Sequence, residues 1–267
     1  MASAGFVLFA MMIAPGLANA APVCEARSGA ATRPLLELYT SEGCSSCPPA
    51  DQWFARLAGK AEAQELNLLA FHVDYWDAIG WPDRFAQHAF TERQSRRVRA
   101  GGSTTIYTPQ LMLSSRLDLR WYQPEQVSAA LAEVRRRPAE LALHVHARQT
   151  ADHWQVELEA TPAAGFAPSS RMYLALYENS VSSKVHAGEN AGVTLHHERL
   201  VRGLWGPWPL AAAGTARRLQ ITAPKNAVPA QLGLTAFVQE ERAGTTLQAL
   251  SLPLGPCSLP APQSPVP

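Results

Sequence analysis

Two cysteines three residues apart, Cys44 and Cys47, are the residues whose type and spacing most directly suggest chemistry. They follow a short apolar run at residues 35–40 and precede a segment whose apolar residues recur at helical spacing. In this order of strand, Cys-x-x-Cys and helix, free backbone N–H groups and the helix dipole favour a thiolate at Cys44. A Cys44 thiolate could attack a substrate disulfide, and Cys47, one helical turn later, could resolve the mixed disulfide.

The Cys-x-x-Cys motif has other interpretations. Half of a zinc site would need a second pair of ligands, and neither another Cys-x-x-Cys nor a suitably spaced histidine pair follows. A copper(I) site would need His72 or His88 beside the thiolates, which are ligands that select copper(I). An inert structural bridge is the third possibility. The flanking strand and helix favour an exported thiol–disulfide oxidoreductase with no cofactor beyond a redox-active Cys44–Cys47 disulfide. A non-enzymatic copper(I)-handling protein, or a structural, partner-binding one, is the alternative.

A second signal is the dipeptide Thr108-Pro109, which precedes the apolar run at residues 110–113. In thioredoxin-like folds, a cis proline before a strand faces the Cys-x-x-Cys, and the preceding residue offers backbone groups to a bound peptide. We therefore predict that Thr108 and Pro109 shape a substrate cleft. An ordinary trans proline at the start of a strand would have the same sequence.

Polar residues end the second predicted strand, which covers residues 66–73. A strand, a helix and a strand in this spacing predict a right-handed βαβ unit, and the carboxyl ends of its parallel strands carry the site. His72 and Asp74 lie there and could tune the thiol or move a proton, or could form a structural hydrogen-bonded pair. His196 and His197 face opposite sides of a later predicted strand, so we interpret both as structural.

The elements that must position these residues divide the chain in two. Residues 21–139 predict a thioredoxin-like domain with a helical insertion at about 75–102. From residue 140 onwards, short and often alternating strands separated by turns predict a sandwich-like domain that ends near residue 252. Residues 253–267 are proline-rich and predict a tail. The expected fold class is an α/β thioredoxin-like domain followed by a β-rich, sandwich-like C-terminal domain.

The composition and the N-terminus indicate the compartment. The chain has 267 residues, of which 47% are hydrophobic, and its net charge of +1 gives no electrostatic reason to expect nucleic acid as a partner. Residues 1–20 are uncharged and apolar, end in Ala-Asn-Ala, and predict a signal peptide. We expect a periplasmic or secreted protein with no membrane span after cleavage. Its expected partners are protein thiols or disulfides, or a redox partner protein.

The other two cysteines, Cys24 and Cys257, lie near opposite ends of the predicted mature chain. Unpaired thiols are unusual in an oxidising compartment, so we predict that these two residues form a structural disulfide. Closing so long a loop stabilises a protein by at most ~5 kcal/mol in the chain-entropy model. The alternatives are that both thiols are free or that Cys24 resolves Cys44.

Six segments of the chain carry a resemblance to a known family: residues 36–51, 71–77, 80–81, 107–110, 189–192 and 195–197. Together they resemble the secreted proteins catalogued as domain of unknown function 1223. The resemblance covers nearly the whole predicted mature chain, including both the Cys-x-x-Cys and Thr108-Pro109. That family is classed as thioredoxin-like, so the resemblance implies the fold that the order of elements predicts, and it implies little about activity.

Overall fold

The computed structural model describes residues 23–150, 153–164, 166 and 169–257, so the predicted signal peptide and most of the predicted tail lie outside it. Within the described residues, no helix is long and apolar enough to cross a membrane. The helices are α1 (Cys47–Ala58), α2 (His88–Ala100) and α3 (Pro124–Arg135). The strands are β1 (Val23–Arg27), β2 (Leu35–Thr40), β3 (Asn67–His72), β4 (Gln110–Leu113), β5 (Arg116–Leu119), β6 (Leu141–Gln149), β7 (Trp154–Pro162), β8 (Ser170–Glu178), β9 (Val181–Lys184), β10 (Thr194–His197), β11 (Leu200–Pro209), β12 (Thr215–Ile221), β13 (Leu232–Glu240) and β14 (Thr246–Pro253).

These strands form three sheets. The largest has eight strands in the order β14-β13-β8-β11-β3-β2-β4-β5. In it, β3 runs parallel to both β2 and β11, and the other neighbouring strands are antiparallel. A second sheet, β1-β6-β7-β12, is antiparallel, and β9 and β10 form a separate hairpin. The predicted βαβ unit is β2, α1 and β3.

The predicted fold class is wrong. The chain is mostly β, and strands from both sides of residue 140 share one mixed sheet instead of forming an α/β thioredoxin-like domain followed by a sandwich-like one. Leu200 of β11 pairs with Ala70 of β3, while β1 at the N-terminal end pairs with β6. The alternation of residues in a sequence shows which face of a strand is buried, but it does not show which strand becomes its neighbour.

Both faces of the eight-stranded sheet are covered. Leu38 of β2 packs with Phe54 of α1 on one face, where α3 also lies. Tyr39, the next residue along β2, packs with Phe90 of α2 on the opposite face. The cluster around α2 also includes Phe237 of β13, so this helix spans strands from both halves of the chain. The four-stranded sheet packs against β8, β13 and β14 on the face away from α2.

Buried polar contacts join the two halves of the chain. The carboxylate of Glu37 in β2 accepts hydrogen bonds from Arg93 of α2 at 2.8 to 3.1 Å and from Gln239 of β13 at 2.9 Å. Burial opposes ionisation of Glu37, but the charge of Arg93 holds its pKa below the usual range. In β14, the side-chain oxygen of Gln248 accepts the backbone N–H of Arg33 at 2.8 Å, just before β2. The sheet is therefore tied across the chain by side chains as well as by strand pairing.

Candidate functional site

Two parallel strands bring the candidate site together at one edge of the sheet. Thr40 at the end of β2 is paired with His72 at the end of β3. The loop that follows β2 carries Cys44, and α1 begins at Cys47. Parallel strands have their carboxyl ends on the same side, so the polar residues that follow β3 lie beside the loop that carries the cysteines.

Cys44 and Cys47 form a disulfide, with their Cα atoms 5.4 Å apart. The Cys47 N–H donates to the carbonyl of Cys44 at 3.1 Å, which closes a turn at the helix start. Two prolines follow in the first turn of α1, where a missing N–H breaks no helical hydrogen bond. Both cysteines are 0% exposed, whereas Ser45 and Ser46 between them are exposed.

Trp76 connects the cysteine loop to the predicted substrate cleft. Its indole N–H donates to the hydroxyl of Thr108 at 2.7 Å, and the Thr108–Pro109 peptide bond is cis. On the loop, a Cβ at Gly43 would lie 3.2 Å from the Cβ of Trp76, so a residue without a side chain permits this close approach. Trp76 therefore lies beside the cysteine loop and also binds Thr108, the residue before the cis Pro109.

A hairpin from the second half of the chain also reaches the site. We call it the arm, and it consists of residues 181–197, which include β9, β10 and their connection. Gly188 of the arm lies so close to Gly80 that a Cβ at Gly80 would be 3.3 Å from its Cα. Nearby, the rings of Trp81 and His186 have centroids 5.9 Å apart. The arm therefore rests on the segment that follows β3.

The tip of the arm binds the cysteine loop through polar contacts. The carboxylate of Glu189 accepts the backbone N–H of Ser45 at 3.0 Å. The side-chain amide of Asn190 donates to the carbonyls of Glu42 and Cys44 at 2.8 and 3.0 Å. The backbone on both sides of Cys44 is therefore held by side chains of the arm.

A buried set of acids and histidines lies behind the loop. His72 donates from Nδ1 to Asp83 at 2.6 Å, and His197 of the arm donates from Nε2 to Glu42 at 3.1 Å. The two imidazole rings meet edge to face, with centroids 4.8 Å apart. The indole of Trp81 donates to the other oxygen of Glu42 at 2.8 Å. These contacts join the cysteine loop, β3 and the arm in one polar network.

The network separates the pKa values of its members. Burial opposes ionisation of Asp83, but the adjacent His72 lowers the pKa of Asp83 to about 2. Burial also opposes a charge on His72, yet Asp83 outweighs it and raises the pKa of His72. Burial opposes ionisation of Glu42 as well, but the hydrogen bond from His197 lowers the pKa of Glu42. Asp51 of α1 responds mainly to burial, which raises its pKa. The cysteine loop therefore lies among ionised carboxylates whose charges are partly balanced by His72.

A family model described as "Protein of unknown function (DUF1223)" matches residues 35–239. The chain belongs to the DUF1223 family. A crystal structure of a protein from Agrobacterium tumefaciens is 23% identical, covers 88% of this chain and 100% of its own, and has a TM-score of 0.65. The structure of HBP35 of Porphyromonas gingivalis is 13% identical, covers 90% and 80% of the two chains, and has a TM-score of 0.59. No functionally curated protein matches the chain. At these identities the two structures show the fold alone.

The site residues of this DUF1223 protein are not paired as the sequence suggests. His72 binds Asp83, whereas Asp74 accepts hydrogen bonds from His88 at 2.9 Å and from Thr91 at 2.5 Å, so the predicted alternative of a His72–Asp74 structural pair is wrong. His88 is exposed, while His72 is buried. Among the described residues, no group of three or more His, Cys, Asp or Glu side chains is arranged to hold a metal ion.

The sequence pattern did not indicate several partners of the DUF1223 cysteine loop. His197 was interpreted as structural, and no role was assigned to Asp83, Glu189 or Asn190. His197 and its partner Glu42 are 155 residues apart, so spacing could not relate them. The available signal was the resemblance itself, because the family-like segments 189–192 and 195–197 contain the three arm residues.

The remaining two cysteines lie outside the DUF1223 match. Cys24 in β1 and Cys257 after β14 form a disulfide across a sequence separation of 233 residues, with their Cα atoms 5.7 Å apart. Both are buried in the core between the two larger sheets. No cysteine in the described residues is free. This bridge therefore joins the two ends of the described chain.

Proposed function

We propose that this protein is an exported thiol–disulfide oxidoreductase that acts on protein thiols or disulfides through Cys44 and Cys47. The observation that carries the proposal is the disulfide between these residues at the start of α1, and the hydrogen bond of Trp76, beside the same loop, to Thr108 supports it. Two sulfurs in this arrangement can alternate between dithiol and disulfide with little backbone movement. Two disulfides in one chain also favour a periplasmic or secreted location.

The exchange takes place in two displacements. The Cys44 thiol gives up its proton, and the resulting thiolate attacks one sulfur of a partner disulfide, which forms a mixed disulfide and releases the first partner sulfur as a thiolate that takes up a proton. The Cys47 thiol then loses its proton, and its sulfur attacks Cys44 Sγ, which restores the Cys44–Cys47 disulfide and releases the second partner thiol. Two electrons and two protons pass to the partner, and oxidation of a partner dithiol is the reverse sequence.

Other residues of the site have supporting roles in this proposal. Thr108 and Pro109 shape the cleft in which the partner chain lies, and Trp76 fixes Thr108 beside the cysteine loop. His72 tunes the site through Asp83, because the same Asp83 oxygen that binds His72 also accepts the backbone N–H of Glu42 at 2.9 Å. Any effect of Asp74 passes through a different set of contacts, those with His88 and Thr91.

A locked structural bridge is the second candidate function, and one observation favours it. Neither Cys44 nor Cys47 exposes any surface, so an attacking sulfur cannot reach the disulfide in this conformation. Exchange therefore requires the arm or the segment around Trp76 to move aside. The two candidates differ in whether this opening occurs under native conditions.

Equilibration with glutathione tests the proposal. The mature protein is incubated at a series of glutathione ratios, thiols are trapped with iodoacetamide, and peptide masses report each cysteine pair separately. We expect the Cys44–Cys47 pair to equilibrate between about −120 and −270 mV, the range of exchange-active pairs. The Cys24–Cys257 pair is the internal control and should stay oxidised under the same conditions.

Two outcomes would contradict the proposed activity. A Cys44–Cys47 disulfide that resists reduction below roughly −300 mV would favour the locked bridge. Tight, stoichiometric binding of copper(I) by the reduced protein, lost in both Cys44→Ser and Cys47→Ser, would favour copper handling. A Cys24–Cys44 crosslink in the unreduced protein would overturn the assignment of both cysteine pairs.

A further inference from the structure

We infer that Glu189 of the arm keeps Cys44 protonated at neutral pH and thereby makes the Cys44–Cys47 pair a reductant of partner disulfides. The inference rests on the proposed exchange activity and gives it a direction. It follows from two features of the loop and the helix start: most of the backbone N–H groups there are already bound or missing, and the carboxylates beside the loop are negatively charged.

The start of α1 offers a thiolate few of the donors that a helix N-terminus normally supplies. Pro48 and Pro49 occupy its first turn and have no N–H. The Cys47 N–H donates to the carbonyl of Cys44, and the Ser45 N–H donates to Glu189. At four of the five positions from Ser45 to Pro49, an N–H is absent or already bound. The usual stabilisation of a Cys-x-x-Cys thiolate is correspondingly weak.

The charges around the loop oppose a thiolate as well. Glu189 is an ionised carboxylate at the helix start, because its hydrogen bonds with Ser45 lower its pKa. Glu42, two residues before Cys44, is also ionised, and its partner His197 is directed at its carboxylate. Cys44 itself is fully buried, and burial disfavours the charged form of a thiol.

Asp83, His72 and Asp51 are other titratable groups near the cysteine loop. Asp83 is ionised and paired with His72, so the positive charge of His72 is directed at a carboxylate. Asp51 of α1 has a pKa raised by burial, and as an acid it supplies no positive charge that would stabilise a thiolate. Of these groups, Glu189 is the one that reaches the loop from the surface, where it can be replaced without disturbing a buried ion pair.

The protonation state of Cys44 in the reduced protein sets the direction of exchange. A cysteine pair is a strong oxidant when its reduced form is stabilised as a thiolate, and a reductant when that stabilisation is absent. Here the Cys44–Cys47 dithiol passes two electrons and two protons to a partner disulfide. A donor dithiol of lower potential regenerates it: the donor's two thiols become a disulfide as the Cys44–Cys47 disulfide becomes a dithiol.

The test is Glu189→Gln, which removes the charge and keeps an oxygen that can accept the Ser45 N–H. Glu198→Gln is the matched control, because Glu198 follows the arm and binds Ser180 instead of the cysteine loop. Each full-length protein is reduced with a phosphine, and the alkylation rate of Cys44 is followed against pH by peptide mass. The pH midpoint reports the thiol pKa independently of how accessible the sulfur is.

We expect a Cys44 midpoint above pH 7 in the natural protein. In Glu189→Gln it should fall by about 0.3 to 0.7, because one charge at a helix N-terminus changes an equilibrium by about two- to fivefold. Glu198→Gln should leave it unchanged. The equilibrium constant with glutathione should match the natural protein at pH 6 and differ by the same two- to fivefold, about 10 to 20 mV, at pH 9.5.

Three results would overturn the inference: a Cys44 midpoint already below pH 7 in the natural protein, no movement in Glu189→Gln, or an equal shift in Glu198→Gln. An effect on the glutathione equilibrium that is the same at pH 6 and pH 9.5 would mean that Glu189 acts by packing and not by charge. If the natural pair never exchanges with glutathione, the proposed activity fails. The alkylation midpoint still decides the role of Glu189 in that case.

Discussion

Replacing Asp83 with asparagine should destabilise the protein through the loop that carries Cys44. The Asp83 carboxylate accepts three hydrogen bonds, from His72 Nδ1 at 2.6 Å and from the backbone N–H groups of Glu42 and Phe85 at 2.9 Å each. Asparagine has one acceptor oxygen and an amide group that donates. Asp83→Asn therefore removes the charge that faces His72 and leaves at least one buried N–H facing a donor.

The size of the effect follows from the pKa of Asp83, which lies at about 2 instead of 3.8. At about 1.4 kcal/mol per pKa unit, this corresponds to about 2 kcal/mol of preference for the ionised carboxylate in the folded state. A lost backbone hydrogen bond adds about 1 kcal/mol. We expect Asp83→Asn to lower the free energy of unfolding by about 3 kcal/mol at pH 7, within the range for breaking a buried ion pair.

Urea denaturation followed by tryptophan fluorescence, with both disulfides intact, measures this difference. Because the folded-state pKa of Asp83 is lowered, its stabilisation is complete well above pH 3.8 and is lost as the pH falls through about 2. His72 has a raised pKa and stays charged in the natural protein throughout that window. The gap between the two proteins should therefore narrow between pH 5 and pH 2. An equal gap at pH 7 and pH 2.5, or one below 1 kcal/mol at pH 7, would refute the reasoning.

Three further predictions concern the arm, the terminal disulfide and the buried ion pair. Asn190→Ala should speed reduction of the Cys44–Cys47 disulfide by dithiothreitol about tenfold, since it removes two hydrogen bonds that hold the arm closed; an unchanged rate would mean that the arm is not the barrier. Replacing both Cys24 and Cys257 with serine should lower the unfolding free energy by up to about 5 kcal/mol, measured in urea, and should leave exchange with glutathione unchanged. Glu37→Gln should cost about 3 to 5 kcal/mol in the same assay because it leaves Arg93 buried without its carboxylate, and an added Arg93→Met should recover most of the loss.

The sequence predicts the local part of the site well. The apolar run before Cys44, the helical spacing after Cys47 and the apolar run that ends at His72 correspond to β2, α1 and β3, and β2 and β3 are parallel. These features depend on residues close together in the chain, and their periods of two and 3.6 are visible in a single sequence. The loop that carries Cys44 connects β2 directly to α1, so its position follows from these two elements.

The rest of the site depends on contacts that no local pattern encodes. Asn190 and Glu189 reach the cysteine loop from a hairpin about 145 residues later. The later predicted strand that contains His196 and His197 corresponds to β10, which Arg199, at a φ of 55°, separates from β11. This division lets β10 join the arm while β11 enters the large sheet. The predicted fold class was wrong for the same reason. The apolar pattern of each strand does not show that strands from the two sides of residue 140 pair with each other.

The hydrogen bond between Gln248 and the backbone of Arg33 has a consequence for how the chain is assembled. The backbone just before β2 is held by a strand that is synthesised more than 200 residues later, and that strand, β14, also pairs with β13. Contacts with such long sequence separation slow folding, because the chain must close large loops before it gains their energy. The large sheet therefore cannot be completed until strands of the second half are available. A chain of which only the N-terminal half has left the ribosome or a translocation channel still lacks part of this sheet.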